Sequence, residues 1–249
     1  MSISTPKQVA IANRTVLVTG ANRGLGRALV GEALRRGAER VYAASRQPSI
    51  HPDKRVTSLV LDVTNAAQIQ AAAERVASLD TLINNAGVSV ADDLGDRAGL
   101  EHHLAVNLFG TWSVTAAFLP ALTRSGGSVV NVVSLGALAA VPVLPAYSAS
   151  KAAALSLTQS ARALLAARGV AVHAVLPGPI DTDMVRDLPI PKTAPEAVAK
   201  GILDGLENGD EDIFPDPMSA MIADRWHTGV TKQLERQNAA LVQTQPLAA

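Results

Sequence analysis

A tyrosine and a lysine stand four residues apart in the run Tyr147-Ser148-Ala149-Ser150-Lys151, and Ser134 stands 13 residues before the tyrosine. On a helix, side chains at positions i and i+4 lie on one face, so the phenol and the ammonium would be neighbours. A cation beside a phenol favours the phenolate, and a free tyrosine loses its proton only near pH ~10. The spacing therefore predicts a tyrosine that serves as a general acid or base. Such a pair also occurs by chance on protein surfaces. Motifs elsewhere in the chain are therefore needed to distinguish a catalytic pair from a surface pair.

The composition limits the class of protein and its partners. The 249 residues suit one large α/β domain or two small ones, and 48% hydrophobic residues with 3% aromatic ones predict an aliphatic core. The formal net charge is +0, from 22 basic and 22 acidic residues, so no basic excess favours a nucleic-acid partner. The chain has no cysteine, which excludes disulfides and thiolate metal sites.

The beginning of the chain gives an expectation about location. Residues 1–13 lack the apolar core of a signal peptide, and no run approaches the ~18 apolar residues of a membrane span. We therefore expect a cytoplasmic protein that does not bind a membrane.

Short apolar runs alternate with stretches of helical periodicity. The runs predict strands at 15–19, 40–44, 56–61, 81–83, 129–133, 170–176 and 212–214. Helices are predicted at 25–34, 65–78, 100–122, 146–167, 195–207 and 217–242, with Thr193 and Glu196 as a capping box. This alternation predicts a doubly wound α/β Rossmann fold, with about seven parallel strands and helices on both faces. We expect a single domain over residues 1–249, with a polar extension at 1–13 and a C-terminal helix and mobile tail at 216–249.

A glycine-rich turn joins the first strand to the first helix: Thr19-Gly20-Ala21-Asn22-Arg23-Gly24-Leu25-Gly26. Glycines permit a tight turn and a close backbone approach, while the helix N-terminus offers free N–H groups to a pyrophosphate. The spacing Gly-x-x-x-Gly-x-Gly differs from the common dinucleotide fingerprint, and a glycine-rich turn can be purely structural. Its position between strand and helix near the start of a βαβ chain favours nucleotide binding.

Taken together, these motifs resemble the short-chain dehydrogenase/reductase family over roughly residues 16–182. They follow the order and nearly the spacing of that family, including 27 residues between Asn107 and Ser134. The matching motifs are the Thr19–Gly26 loop, Asp62 after the third strand, Asn84-Asn85-Ala86-Gly87, Asn107, Ser134, Tyr147 with Lys151, and Pro177-Gly178 followed by Thr182.

The resemblance implies an NADP-dependent oxidoreductase that acts on CH–OH or C=O groups. Tyr147 would give a proton to a carbonyl or take one from an alcohol, and Lys151 would lower its pKa and bind the nicotinamide ribose. Ser134 would orient the substrate oxygen as a neutral donor. Asn107 would support a proton relay through water, with a purely structural role in the helix as the alternative. The hydride would come from the cofactor.

The same resemblance implies a set of cofactor-binding residues and no metal site. These residues are Gly20, Asn22, Arg23, Gly24, Leu25, Gly26, Ser45, Arg46, Asp62, Val63, Asn85, Ala86, Gly87, Tyr147, Lys151, Pro177, Gly178, Ile180 and Thr182. Asp62 would contact the adenine or stabilise a turn, and Thr182 would bond the carboxamide or cap the next turn. Asn84 is expected to tie the central strands together, and the five histidines to be packed or solvated.

The end of the second strand bears on which nicotinamide cofactor is preferred. An acidic residue there would bind the adenosine ribose and repel a 2′-phosphate, but the strand ends in Ser45-Arg46. Arg23 and Arg46 could clamp a 2′-phosphate, with Ser45 adding a hydrogen bond, unless both arginines are merely solvated. We therefore predict NADP(H), and reduction as the working direction.

The chain departs from the family near its C-terminus, where the Gly-rich segment that helps build many tetramers is missing. We therefore expect a homodimer through the two long helices, with a tetramer as the alternative. The short segment 183–192 and the apolar segment 135–144 predict an open pocket for an apolar ketone or aldehyde. Two other functions stay open: a ketoreductase for polyketide or fatty-acyl thioesters, and a non-catalytic NADP-binding sensor or scaffold.

Overall fold

The predicted strands all form, and they lie side by side in one parallel sheet. The computed structural model describes residues 10–47, 50–186 and 189–244. Most of the extension predicted for residues 1–13 and the end of the tail, 245–249, lie outside these ranges. The strands are β1 Thr15–Thr19, β2 Arg40–Ser45, β3 Val56–Val60, β4 Thr81–Asn84, β5 Ser128–Val132, β6 Ala171–Val175 and β7 Asp212–Ile213.

The helices connect these strands and continue beyond the last one. They are α1 Gly24–Arg35, α2 Ala66–Arg75, α3 Arg97–Leu104, α4 Thr111–Ser125, α5 Pro145–Ala166, α6 Pro195–Asn208, α7 Pro217–Thr228, α8 Val230–Ala239 and α9 Leu241–Thr244. The prediction of one C-terminal helix from 217 to 242 is wrong. Gly229 adopts extended angles (φ −72°, ψ 159°), which end α7 and start α8 in a new direction.

The sheet order β3-β2-β1-β4-β5-β6-β7 is that of a doubly wound fold. One face packs against α1 and α6, with Val16, Val18 and Ile202 fully buried. The other face packs against α2 and α4, with Leu17 and Leu82 fully buried. Alternate residues of β1 thus enter opposite core layers, as successive side chains of a strand must. The chain order reverses between β1 and β4, and parallel sheets bind ligands at the carboxyl edge of such a point.

The helix that runs past the site contains one turn of π-helix, Ala105–Gly110, between α3 and α4. Within the described part of the chain, Arg97–Ser125 is the helical stretch long and apolar enough to cross a membrane by length and hydropathy alone. Three of its apolar side chains, Val114, Phe118 and Leu122, are buried in the core beneath the sheet. Packing in the core therefore accounts for part of the hydropathy of this stretch.

The predicted capping box at α6 is wrong. Thr193 pairs with Ile180 in an isolated parallel bridge, and Ala194 is the N-cap without a side-chain hydrogen bond. Pro195 occupies the first turn, where its missing N–H removes one donor that needs a partner. A capping box forms instead at α7, between Asp216 and Ser219.

Five side chains, named here the anchor cluster, fasten α7 and α8 to the sheet: Arg162, Asp212, Trp226, Lys232 and Glu235. The fully buried Asp212 carboxylate accepts from Arg162 Nη2 and Lys232 Nζ, both at 2.7 Å, and from Trp226 Nε1 at 2.8 Å. Lys232, also fully buried, reaches Glu235 at 3.0 Å, and Arg162 pairs with Glu235 as well. Burial alone would raise the pKa of Asp212, but the charges of Arg162 and Lys232 outweigh it and lower this pKa.

Candidate active site

Ser134 and Tyr147 meet at the carboxyl edge of the sheet. Ser134 follows β5, and Tyr147 lies in the first turn of α5, whose helix begins at Pro145. A Cβ added to Gly136 would lie 3.4 Å from Ser134 Oγ and 3.6 Å from Tyr147 Cε1, so the two side chains lie close together. The Ser134 hydroxyl oxygen accepts from the backbone N–H of Gly136 at 3.0 Å, which fixes its position. A carbonyl oxygen placed between the two hydroxyls would find two donors.

Lys151 lies one turn further along α5 and is 6% exposed. Its Nζ donates to the carbonyl oxygen of Val132 at 2.8 Å and lies 5.8 Å from the centroid of the Tyr147 ring. Burial lowers the pKa of Lys151 to about 8, because removal from water disfavours the charged form.

The pKa of Tyr147 differs from the sequence-based expectation. Burial raises the pKa of the Tyr147 phenol, and the nearby Ser134 hydroxyl opposes this rise. The reason is that the Lys151 ammonium is directed at the Val132 carbonyl instead of the phenol oxygen. In this structure the phenol is therefore held protonated, which is the form that a proton donor needs.

Asn107 lies in the π turn, and its carboxamide is fully engaged. Its Oδ1 accepts from Val88 N at 2.9 Å, while its Nδ2 donates to Val88 O at 3.0 Å and to Ser150 Oγ at 2.9 Å. A Cβ added to Gly87 would lie 3.1 Å from Asn107 Oδ1 and 3.7 Å from Lys151 Nζ. The side chain of Asn107 therefore joins the loop after β4 to α5 beside Lys151, whereas its role in a proton relay stays a prediction.

The glycine-rich loop has the shape of a cradle for phosphates. Gly20 and Gly24 have φ of +66° and +51°, a region that side chains rarely adopt. A Cβ on Gly26 would lie 2.1 Å from Gly20 O, so backbone fills the space that a side chain needs. Arg23, the N-cap of α1, makes no side-chain cap, which leaves the first N–H groups without a side-chain partner. These residues fit the pyrophosphate of a dinucleotide.

The loop after β4 closes one side of this cradle. Thr19 Oγ1 accepts from the N–H groups of Asn85 and Ala86, each at 3.0 Å, and Asn85 Nδ2 donates to Thr19 O at 2.9 Å. Asn85 thus fixes the loop with its side chain, and a direct contact with a cofactor stays a prediction. Asn84 bridges β4 to β5 through Asn131 Oδ1 at 2.9 Å, the structural role that the sequence predicts.

The residues that are predicted to bind the adenosine end of the cofactor follow β2 and β3. Ser45 is buried and donates to Gln47 O at 2.9 Å, so its hydroxyl proton is already used. Asp62 accepts from Thr64 N at 2.9 Å and from Thr64 Oγ1 at 2.7 Å. Its side chain therefore stabilises the turn after β3, which is one of its two predicted roles. These bonds to Thr64 lower the pKa of Asp62, and the charge of the exposed Arg46 contributes to the same direction. Val63 is buried against Gly110.

The segment after β6 lies beside the glycine-rich loop. Thr182 lies close to Gly24, since a Cβ there would be 3.0 Å from Thr182 Cγ2. Its hydroxyl donates to Ile180 O at 3.4 Å and does not cap the following turn. The exposed Arg23 pairs with Asp183 Oδ2 at 3.1 Å. Pro177 O accepts from Leu135 N at 3.0 Å, and this bond joins the segment to the serine side of the site.

Two residues outside the predicted set of site residues help to build the site. Thr19 holds the two loops together, and Asp216 accepts from Gly178 N at 2.8 Å while capping α7. The signal for Asp216 was present: an aspartate before proline, with a serine three residues later, is a helix-start pattern.

The histidines do not form a metal site in the described ranges, where no group of three His, Cys, Asp or Glu could hold a metal ion. His103 is buried and accepts from Val90 N at 3.1 Å, and His173 is buried with its Nδ1 2.7 Å from Asp210 O. Both histidines therefore have a structural role in the packed interior.

Comparison with known proteins identifies the family. The short chain dehydrogenase family model matches residues 14–192, and the chain belongs to this family. A similar relative is 2-(S)-hydroxypropyl-CoM dehydrogenase 3 of Xanthobacter autotrophicus (strain ATCC BAA-1158 / Py2), 34% identical over 208 residues, 76% of this chain and 81% of the relative. Oxidoreductase UcpA of Escherichia coli (strain K12) is 33% identical over 199 residues, 72% of this chain and 73% of the relative.

Solved structures agree with the fold. A short chain dehydrogenase from Burkholderia cenocepacia J2315, in complex with NADP, has a TM-score of 0.84 and 38% identity, and the match covers 92% of this chain and 98% of that one. Thermoplasma acidophilum aldohexose dehydrogenase has a TM-score of 0.75 at 25% identity, covering 85% and 95%. The chain is thus an oxidoreductase of the short-chain dehydrogenase family that acts on alcohol or carbonyl groups, with a single Rossmann-like sheet.

Proposed function

We propose that the protein reduces a ketone or aldehyde to an alcohol with NADPH, reversibly, and that Tyr147 is the proton donor. The observation that carries the proposal is the proximity of the Ser134 and Tyr147 side chains at the carboxyl edge of the sheet, beside the buried Lys151. Bound NADPH would supply the hydride. The Ser134 hydroxyl orients the carbonyl oxygen, and Tyr147 gives its proton to that oxygen as negative charge develops.

Lys151 has a second task in this proposal. Its ammonium stabilises the phenolate that remains after proton transfer, because a cation favours the charged form of the phenol. Asn107 holds α5 and the Val88 loop together beside Lys151, so it keeps the ammonium in place. The proton that replenishes Tyr147 would pass along Lys151 toward solvent.

The hydroxyl of Tyr147 can be removed while its aromatic ring is kept. In Tyr147→Phe we expect kcat to fall by about 1000-fold, while the Kd for NADPH stays unchanged. Tyr42→Phe is a matched control, since Tyr42 is the other tyrosine and is buried in β2. The measurement is NADPH oxidation against ketones, aldehydes and acyl thioesters. Unchanged turnover in Tyr147→Phe would refute the proton-donor role, and turnover of thioesters alone would make the enzyme a ketoreductase of acyl intermediates.

NADPH is proposed as the cofactor because Arg46 follows β2 and no acidic side chain stands there. The solved relative from Burkholderia cenocepacia, described in complex with NADP, supports this choice. The variants Arg23→Ala and Arg46→Ala should each raise the KM for NADPH about tenfold and leave that for NADH unchanged. Arg40→Ala, at the amino end of the same strand β2, is the control. Equal effects on both cofactors would argue against 2′-phosphate recognition.

A homodimer through the long helices is part of the proposal. Phe109 and Trp112 are 58% and 56% exposed on the outer side of the helix that carries Asn107. Large apolar side chains exposed next to each other favour an interface between proteins. Light scattering should therefore give twice the monomer mass, and Phe109→Asp with Trp112→Asp should give the monomer. The cytoplasmic location stays a prediction.

A further inference from the structure

Three segments leave the sheet side by side at the active-site edge. Ser134 follows β5, Gly178 follows β6, and Asp216 follows β7, and these strands are neighbours in this order. Backbone and side-chain hydrogen bonds join them, from Leu135 N to Pro177 O at 3.0 Å and from Gly178 N to Asp216 Oδ2 at 2.8 Å. Strands β5 and β7 are two strand spacings apart, roughly 10 Å, so the segment that leads into α7 leaves the same edge of the sheet near the segment of Ser134.

Asp216 fixes the start of α7 relative to Gly178. Its Oδ1 accepts from Met218 N at 3.1 Å and Ser219 N at 3.0 Å, and its Oδ2 accepts from Gly178 N and from Ser219 Oγ at 2.9 Å. One buried carboxylate thus caps the helix and holds the segment after β6. The position of α7 is therefore tied to the site and does not depend on loop geometry.

Met218 is the first side chain of α7 that reaches this segment. A Cβ added to Gly178 would lie 3.2 Å from Met218 Cβ and 3.3 Å from Met218 Sδ, so the thioether lies against Gly178. The residue is still 42% exposed, which leaves part of its apolar surface free. The flanking segments also expose apolar side chains, Val143 after Ser134 and Met184 after Thr182. A thioether adapts its shape to apolar groups of different outline.

From this arrangement we propose that α7 is the substrate-side wall of the active site and that Met218 is a specificity-determining residue. It selects carbonyl compounds that carry one sizeable apolar alkyl or aryl substituent, which packs on the thioether while the carbonyl oxygen sits at Ser134 and Tyr147. This inference rests on the proposed carbonyl reduction. It adds which class of substrate substituent is accepted and which residue contacts that substituent.

The test compares two methyl ketones, acetone and benzylacetone, in the full-length enzyme with NADPH. Met218→Ala should lower kcat/KM for benzylacetone about tenfold and that for acetone less than about twofold, since the apolar contact with the larger substituent is lost. Met218→Leu, which conserves volume, should recover most of the loss. Met218→Trp should exclude benzylacetone and spare acetone. Met221→Ala removes the same side chain from the same helix at a position 81% exposed, and should change neither value.

The outcomes separate the two proposals. A change in the ratio of the two kcat/KM values at position 218 alone supports the inference. An unchanged ratio in Met218→Ala and Met218→Trp, or an equal change in Met221→Ala, overturns it while carbonyl reduction by the parent enzyme stands. An inactive parent enzyme, with NADPH bound and no carbonyl of any kind reduced, overturns the proposed function and the inference that rests on it.

Discussion

The half of the sheet that carries the glycine-rich loop, β1 to β4, and the C-terminal region from β7 onward reach the same active-site edge with different stabilising interactions. Around the glycine-rich loop, backbone packs on backbone, and Gly26 leaves no room for a Cβ beside Gly20 O. In the C-terminal region, the buried charges of Asp212 and Lys232 hold two helices against the sheet. The family match ends at residue 192, so this C-terminal region lies outside the matched residues.

The difference shows which task each region performs. A loop that takes a constant ligand needs a fixed backbone shape, and close contacts between main-chain atoms supply it. A wall that meets the variable part of a substrate needs a fixed position but adaptable side chains. Buried, hydrogen-bonded charges fix the position of α7 on the sheet. The side chains on the exposed face of α7 take no part in these bonds and can be substituted without moving the helix.

The largest expected effect follows from filling the tight backbone contact. Gly26→Ala should destabilise the protein by about 4 kcal/mol or more and abolish NADPH binding, because Gly20 and α1 must separate. Gly31→Ala, in the same helix with nothing within 4 Å of the added Cβ, should instead stabilise by about 0.5–1 kcal/mol. Urea unfolding of both variants measures this. Similar free energies of unfolding for the two variants would contradict the account of the loop.

A smaller effect is expected from the anchor cluster. Asp212→Asn leaves Lys232 and Arg162 with one carboxylate fewer, and should cost about 3 kcal/mol in the free energy of unfolding. Arg97→Ala removes an exposed ion pair with Glu101 and should cost under about 0.5 kcal/mol. The same variants should be compared by hydrogen exchange, where Asp212→Asn should increase exchange in α7 and α8 more than in α1. Uniform loss of protection would show that the two regions are not independent.

The smallest effect is a pH dependence at the junction of the two regions. Between pH 8 and 10, folded Lys151 with its pKa of about 8 binds fewer protons than the unfolded chain, whose lysine has the usual value of 10.5. The free energy of unfolding should therefore rise with pH in this window, by about 2 kcal/mol relative to Lys151→Met. Denaturant unfolding at several pH values tests this. Parallel curves for the two proteins would mean that Lys151 is not held in a lowered-pKa environment.

The sequence predicted the sheet well because buried parallel strands are continuous apolar runs bounded by glycine or asparagine, as at Thr15–Thr19. It also placed Ser134, Tyr147 and Lys151 on elements that bring them together. The direction of the Tyr147 pKa was not predictable, since it depends on burial and on the Val132 carbonyl that Lys151 contacts.

The C-terminal region was predicted less well for a related reason. Lys232 and Glu235 have the spacing of an ordinary solvated helix pair, and only their tertiary position shows that Lys232 is fully buried. Gly229 breaks the helix, but a single glycine within a helical pattern is also tolerated.

The π turn Ala105–Gly110 makes the number of residues in this helix as important as their identity. Each residue of a helix turns the chain by about 100°, so loss of one residue there would rotate everything before it relative to everything after it. Asn107 and His103 would then face away from Val88 and Val90, while Val114 and Phe118 stayed in the core. A one-residue deletion between the two ends of this helix should therefore be rare among functional variants.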